Sequence, residues 1–333
     1  MMSSQKTNQL YPRLLADIGG TNARFALETA ERQFEAVSVL ACADYPGLPD
    51  AIKSYLASDA VRQVQIRHEA RIRNAAIAIA NPIDGDSVRM TNHHWSFSIS
   101  AVRAQLDFSS LLVINDFTAL AMALPYLDAS QLQKIGGGVE MPGGTIGLIG
   151  AGTGLGVSGI IPSGNSWAAL SSEGGHASFA PANREEMRIL ESLWQQYEHV
   201  SAERLLSGKG LELICAAISG KTMDAADITR RALDGSCADC LRTVEHFCAI
   251  LGSMAGNVAL TLGATGGMYI GGGIVPRLGA LFAVSAFRQR FEAKGRLSSF
   301  LAQIPTYLIT EEYPAFLGVS AMLADHLGKQ EKI

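Results

Sequence analysis

The apolar run Leu111-Leu112-Val113-Ile114 ends in an amide and a carboxylate, Asn115-Asp116, followed by Phe117-Thr118. A carboxylate where a buried strand runs out sits where α/β folds place their chemistry. Asp116 can take a proton from a hydroxyl there, and the amide of Asn115 can orient that hydroxyl. The same pair is also an ordinary helix start, with Asn as the cap. Further on, Ser172-Glu173-Gly174-Gly175-His176 sets an acid and an imidazole either side of two glycines. These groups suit a ligand with several adjacent hydroxyls; a surface ion pair is the alternative, and a metal is a minor one because no further Cys or His clusters nearby. Glu203, in HVSAER, reads locally as an acid in the first turn of a helix capped by Ser201.

Two glycine-rich turns supply a different chemistry. Asp17-Ile18-Gly19-Gly20-Thr21-Asn22 and Gly150-Ala151-Gly152-Thr153-Gly154 leave backbone N–H groups uncovered, as close approach by a phosphate requires. Neither matches G-x-x-x-x-G-K-[ST], so a P-loop is excluded. Neither leads directly into a helix, which argues against a Rossmann dinucleotide site. Asp17 is acidic where a phosphate would sit, which makes sense mainly if Mg²⁺ lies between them, held largely through its waters. The alternative for each turn is a plain hairpin.

The elements around these residues form a repeated pattern. Arg13 to Leu27 and Thr145 to Ile161 each read as strand, glycine turn and returning strand, which suggests a duplicated fold with two lobes facing a cleft. Ala75 to Ala80 reads as a buried strand ended by Asn81-Pro82. Helical patterns run near Leu48 to Ser58, Glu185 to Tyr197, Ser201 to Ala217 and Cys240 to Leu262, the last stopped by Gly263. A polar stretch holds Arg67, His68, Glu69, Arg71 and Arg73, and a third glycine cluster, 266–273, surrounds a short strand. No low-complexity linker parts the halves, so structured crossings that can hinge are expected.

With 333 residues, two domains or lobes are expected. Hydrophobic residues at 48% and charged residues at 17% describe a folded, soluble chain. A net charge of −4 offers nucleic acid and anionic membranes no general attraction, so neither is expected as a partner. The N-terminus lacks the apolar core of a signal peptide, and no apolar run reaches about 18 residues, so a cytoplasmic location is expected. Five cysteines do not form a disulfide framework. Cys237 and Cys240 make a C-x-x-C pair with no second pair, read as reduced thiols in preference to a redox or zinc site.

From Leu14 to about Leu327 the chain resembles the bacterial ATP-dependent glucokinases of the hexokinase, actin and Hsp70 superfamily. The matching stretches, in order, are DIGGTNARFAL, AIANPIDGD, MTNHHWSFSI, VINDFTALAMALP, GAGTGLGV, EGGHASFAP, HVSAERLLSGKGL, NVALTLGATGG with GGGIVPR, and FEAKGR. The resemblance implies an α/β, two-lobed actin-like ATPase (ribonuclease H-like) fold with the active site in the interlobe cleft. It assigns 1-126 and 311-333 to a small domain and 127-310 to a large one. It implies Asp116 as catalytic base, and Asn115, Glu173, His176 and Glu203 as ligands of the sugar hydroxyls. Gly19, Gly20, Thr21 and Asn22 face the phosphates with Asp17 near Mg²⁺. Gly152, Thr153 and Gly154 lie beside the phosphates, and Gly271, Gly272 and Gly273 pack by the adenosine.

Two departures stand out: the first ten residues read as an extension, and Ser171-Ser172 precede Glu173 where a Pro-Gly-like pair is expected. The C-x-C-G-x-x-x-C cluster of the related repressor and kinase family is absent from the sequence, so a structural zinc is not implied. The expected activity is transfer of the γ-phosphoryl group of ATP to the 6-hydroxyl of glucose, with lobe closure excluding water as a competing acceptor and a homodimer implied by the resemblance. The alternatives are another hexose (mannose, fructose, N-acetyl hexosamine) or another donor such as ADP or polyphosphate. A sugar-sensing regulator would need a DNA-binding helix-turn-helix, for which about a dozen residues before the first strand are too few.

Overall fold

In the computed structural model, residues 11–330 are described except 92 and 165, so the expected N-terminal extension and Asn92 of the TNHHW motif lie outside the described residues. The RLLADI and NARFALETA segments form strands β1 (Arg13–Ile18) and β2 (Asn22–Ala30), an antiparallel hairpin closed by turn 19–21. Strand β3 (Gln33–Ala41) adds to its outer side. Strand β4 (Asn74–Ile79) is buried throughout, as a run of small apolar residues covered on both faces must be. A short hairpin of β5 (Ser87–Arg89) and β6 (Ser96–Ser98) follows, and β7 (Ser110–Asn115) completes a sheet of order β3-β2-β1-β4-β7.

Strands β1, β4 and β7 are parallel, with Ile18 beside Ile79 and Ile79 beside Asn115. Their carboxyl ends therefore finish level. The glycine turn, Asn81 and the Asn115-Asp116 pair share that one edge of the sheet.

Period-two alternation distributes the core over both faces. Leu14, Ala16, Ile77 and Ile79 pack with Ile52 and Tyr55 of the helix Leu48–Leu56 and with Val61 of the helix Asp59–His68. Leu15, Ala76, Ala78 and Ile114 pack with Phe316, Val319 and Leu323 of the terminal helix Ala315–Gln330. The helix Asp59–His68 takes in Arg67 and His68, part of the stretch expected to be merely polar. It buries only Val61 and Val64, too few apolar positions to mark it in the sequence.

The second sheet contains β8 (Leu132–Lys134), β9 (Ile146–Ala151), β10 (Leu155–Ser163), β11 (Ser166–Ala169), β12 (Met268–Gly271) and β13 (Thr306–Ile309). Its order is β11-β10-β9-β12-β13-β8. Strands β9 to β11 are antiparallel neighbours, while β12 runs parallel to both β9 and β13. The first five strands thus repeat the order and directions of the first sheet, and β8 adds an antiparallel edge. The duplication inferred from the two glycine hairpins is present in the topology.

The 25-residue helix Ala238–Leu262 forms the spine of the second core and ends at Gly263 with φ 60°, as expected. The pattern from Ser201 behaves differently. Residues 201–207 are turn, and the helix begins at Gly208 and runs to Ser219. Cys237 caps Ala238–Leu262, its Sγ accepting the Cys240 N–H at 3.3 Å, and all five cysteines are free thiols.

Contacts divide the chain into Met1–Leu127 with Glu312–Ile333, and Asp128–Glu311. In the first unit the helix Asp116–Ala123 is set by the terminal helix, which crosses so closely that a Cβ on Gly318 would overlap the Ala119 carbonyl. Gly318→Ala must push the two helices apart. We expect a loss of about 1–3 kcal/mol and a melting temperature lower by several degrees, measured by calorimetry. An unchanged melting temperature would show that the contact is easily relaxed.

Candidate active site

In the first unit the hairpin register pairs Asp17 with Arg24, and Arg24 Nη1 donates to Asp17 Oδ2 at 3.1 Å. The turn between them is closed by Gly19 N–H to the Asn22 carbonyl at 3.0 Å, and Cys42 N–H ties Thr21 from outside at 2.8 Å. Gly19 is not in the left-handed region, and a Cβ there would meet only Asn22 O, at an ordinary 3.6 Å. The fold itself does not require glycine at that position. Without a side chain there, the backbone of the turn stays open to close approach.

On the same edge, Asn115 caps the helix Asp116–Ala123 by accepting the Thr118 N–H at 3.0 Å. The helix-start and catalytic readings of this pair are therefore compatible, because the cap orients the next residue. Asn115 Nδ2 donates to Asp116 Oδ1 at 3.1 Å, and Phe117 N–H donates to the same oxygen at 2.8 Å. Both bonds leave Oδ2 for another partner. The other amide hydrogen of Asn115 reaches the Asn81 carbonyl at 3.4 Å, the longer and weaker of its two donations. Asn81 in turn accepts from Thr91 N–H and Oγ1 at 3.1 and 3.0 Å. The Asn81-Pro82 strand stop thus also links the following loop to the Asn115-Asp116 pair, a role its dipeptide pattern did not reveal.

Burial, and secondarily the charge of Asp17, push the Asp116 carboxyl up to about 6, against the bonds from Phe117 and Asn115. Burial also raises Asp17, with Arg24 opposing. A carboxylate desolvated and set near a second one is poised to accept a proton close to neutrality. The pair also offers hard oxygen donors of the type Mg²⁺ takes. With so few protein oxygens, such an ion would keep most of its coordination in water. Among the described residues no group of three or more His, Cys, Asp or Glu side chains is placed to hold a metal.

The second unit joins its own set. Glu203 lies in turn 201–207, not in a helix, although Ser201 Oγ does accept the Arg204 N–H, at 3.4 Å. Glu203 Oε2 accepts the Leu155 N–H at 3.0 Å, and Oε1 lies 3.9 Å from His176 Nδ1. His176 Nε2 is 3.9 Å from Glu173 Oε2, so the imidazole stands between two acids. Glu203 is the most enclosed, with its side chain 32% exposed against 60% for His176 and 68% for Glu173.

Backbone bonds hold these segments together. Glu203 N–H donates to Gly175 O at 2.9 Å, and Ala202 N–H to Ala177 O at 2.8 Å. Ser172, at the unexpected position before Glu173, accepts the Gly174 N–H at 3.0 Å and so shapes the loop with its side chain. A cavity of about 450 Å³ opens beside His176 and Glu203, with Tyr197, His199, Ser201 and Arg204 in its wall.

The glycine segments of this unit also converge. Gly152 N–H bonds Gly154 O at 2.8 Å, Gly208 N–H bonds Gly152 O at 2.9 Å, and Ile274 N–H bonds Ala151 O at 3.2 Å. Gly150 pairs with Gly271 in the sheet. Gly272, at φ +81°, is required by its backbone, whereas a Cβ on Gly152 or Gly273 would find nothing closer than 4.0 Å.

The sequence marked neither Arg24 nor the Leu155 N–H as part of the site, and it marked Asn81 only as a strand stop. The Arg24 pairing depends on register: four residues, Gly19 to Asn22, separate the paired Ile18 and Ala23, and one residue fewer would set Asp17 opposite Ala23 instead.

The glucokinase family model matches residues 14–326. The chain is 55% identical over 326 residues to the bifunctional protein glk of Paraburkholderia xenovorans (strain LB400), covering 96% of this chain and 50% of that relative. The first curated relatives it matches are thus about twice its length. The glucokinase of Chromobacterium violaceum is 54% identical over 325 residues, covering 96% of this chain and 91% of the relative. Among solved structures, a glucokinase from an Antarctic psychrotroph superposes with a TM-score of 0.84 at 38% identity, covering 94% of this chain and 99% of that one. The doubled five-strand topology is accordingly the α/β actin-like, ribonuclease H-like fold. On sequence, topology and motif order together, the chain belongs to the glucokinase family.

Proposed function

We propose that the protein transfers the γ-phosphoryl group of ATP to the 6-hydroxyl of glucose, giving glucose 6-phosphate and ADP, with Asp116 as the base. The observation that carries this is the state of Asp116: a carboxyl raised to about 6 by burial, with one oxygen held by Asn115 and Phe117. It stands on the sheet edge that also bears the glycine turn, where Gly19 has no internal need to be glycine. Glu173, His176 and Glu203 hold sugar hydroxyls, and Asn115 exchanges its 3.4 Å bond to Asn81 for one more. Gly19, Gly20, Thr21 and Asn22, with Gly152 and Thr153, face the phosphates, and Gly271 to Gly273 lie by the adenosine. Membership of the glucokinase family supports both substrates.

In this mechanism positioning contributes most. The sugar oxygen attacks the γ-phosphorus through a loose transition state, and its proton passes to the free Oδ2 of Asp116 late in the reaction. Asp17, kept in place by Arg24, would hold Mg²⁺ through its waters, and the ion would neutralise the charge that develops on the phosphate oxygens. We further infer that the protein works in the cytoplasm as a homodimer at the entry to glycolysis, with no nucleic acid or membrane partner. Among the described residues no helix is long and apolar enough to cross a membrane. A panel of hexoses and phosphoryl donors, followed by ADP release, tests glucose against mannose, fructose and N-acetyl hexosamines, and ATP against ADP and polyphosphate.

Asp116→Asn keeps the shape and the cap geometry but removes the basic oxygen. The expected fall in kcat is about 10² to 10⁴, with glucose still bound by calorimetry. Near-normal turnover in the folded variant would remove the base from this mechanism.

The pH profile follows from the same group. A carboxyl raised to about 6 is protonated, and so inactive as a base, below that value. The rate kcat/KM should therefore fall as pH drops through about 6, and the acid limb should vanish in Asp116→Asn. A profile flat down to pH 4.5 would contradict the assignment.

Chelation should abolish phosphoryl transfer while leaving the melting temperature unchanged, because Asp17 is already satisfied by Arg24 without metal. Unfolding on chelation, with zinc found by metal analysis, would point to a structural ion instead.

A further inference from the structure

The turn Gly152-Thr153-Gly154 carries two glycines that are glycine for different reasons. A Cβ on Gly152 would approach nothing nearer than Gly273 N, at 4.0 Å. A Cβ on Gly154 would lie 2.5 Å from Oε2 and 3.3 Å from Cδ of Glu203. Gly154 is not in the left-handed region, so its backbone would accept a side chain. The obstacle is the carboxylate alone.

The resemblance puts Gly154 beside the phosphates; we propose instead that Gly154 is a positioning residue for the sugar: its missing side chain lets the Glu203 carboxylate lie against the turn and accept the Leu155 N–H. The inference rests on Glu203 being a sugar ligand. The geometry makes the dependence direct. Leu155 N–H reaches Glu203 Oε2 at 3.0 Å, which fixes one oxygen and leaves Oε1 on the side of His176 Nδ1. The Glu203 backbone is fixed separately through its N–H to Gly175 O. A methyl group at 154 therefore cannot move the main chain cheaply, but it can drive the flexible end of Glu203 away. The fold survives this displacement. The Leu155 bond and the alignment of Oε1 do not. Gly152, whose open space faces no protein group, is the glycine of this turn left for the phosphates.

The test is a set of four variants of the full chain, Gly154→Ala, Glu203→Asp, the two combined, and Gly152→Ala. Each is assayed for glucose binding by calorimetry without nucleotide, for the KM of glucose and of ATP, and for melting temperature. Gly154→Ala is expected to raise the glucose KM by about tenfold to a hundredfold, the loss of one charge-assisted bond, with the ATP KM within about twofold of the parent. Glu203→Asp withdraws the carboxylate, so adding Gly154→Ala to it should change the glucose KM by less than about twofold. Gly152→Ala should do the reverse of Gly154→Ala, weakening ATP and sparing glucose.

Loss of ATP affinity in Gly154→Ala with glucose unaffected would overturn the inference, as would additive effects in the double variant. Should Gly154→Ala fail to fold, recovery of folding in the double variant counts for the contact and its absence counts against it. If Glu203→Asp alone leaves the glucose KM unaltered, Glu203 is not a sugar ligand and the inference falls with it. A sugar-sensitive Glu203→Asp with an additive double variant removes the inference alone.

Discussion

A carboxyl group withheld from water at the end of a strand is the constraint around which the first unit is arranged. Ionised Asp116 in that position is costly, and the neighbouring charge of Asp17 makes it costlier. The structure accommodates both with local devices. Asn115 and Phe117 each give Asp116 a donor, and Arg24 gives one to Asp17. What remains is a carboxyl whose affinity for protons lies near neutrality instead of far below it, the range in which general acid–base chemistry is most effective.

Placing that carboxyl depends on packing well away from it. Level carboxyl ends of β1, β4 and β7 put the glycine turn, Asn81 and Asn115 side by side, and that level is a property of sheet register. The direction of Asp116 depends on the helix it begins. That helix is seated against the terminal helix at a crossing open only to glycine at 318. Chain from the far end of the sequence therefore sets the angle of a side chain at position 116.

The second unit uses the same five-strand topology to different effect. Its glycine hairpin is joined to the Glu203 carboxylate instead of carrying an acid of its own, and close approach replaces desolvation as the governing constraint. Gly175 lies on the Leu155 carbonyl, and Gly154 leaves space for the Glu203 carboxylate. Segments around positions 154, 175 and 203 become one structure through backbone contacts that admit no side chain. Glycine content here is a measure of how tightly three chain segments meet, and only in part of ligand access.

The sequence by itself determined whatever depends on neighbours within a few residues. Both glycine hairpins, the buried strand stopped by Asn81-Pro82, and the helix ended by Gly263 were legible because dihedral limits and two-residue alternation are local properties. The order of several motifs was enough to identify the family. Tertiary structure alone decided the rest. The helix Asp59–His68 escaped notice because two buried valines suffice when a sheet face lies beneath. Ser201 to Ser207 read as helix, yet backbone pairing of Ala202 and Glu203 with the 175–177 loop holds them as a turn. The proton affinity of Asp116 needed burial and a second carboxylate, and the reason for glycine at 154 needed a residue bonded to Leu155 from 48 positions away. Desolvation and close approach are set by the residues that surround a group in space, and no local pattern encodes them.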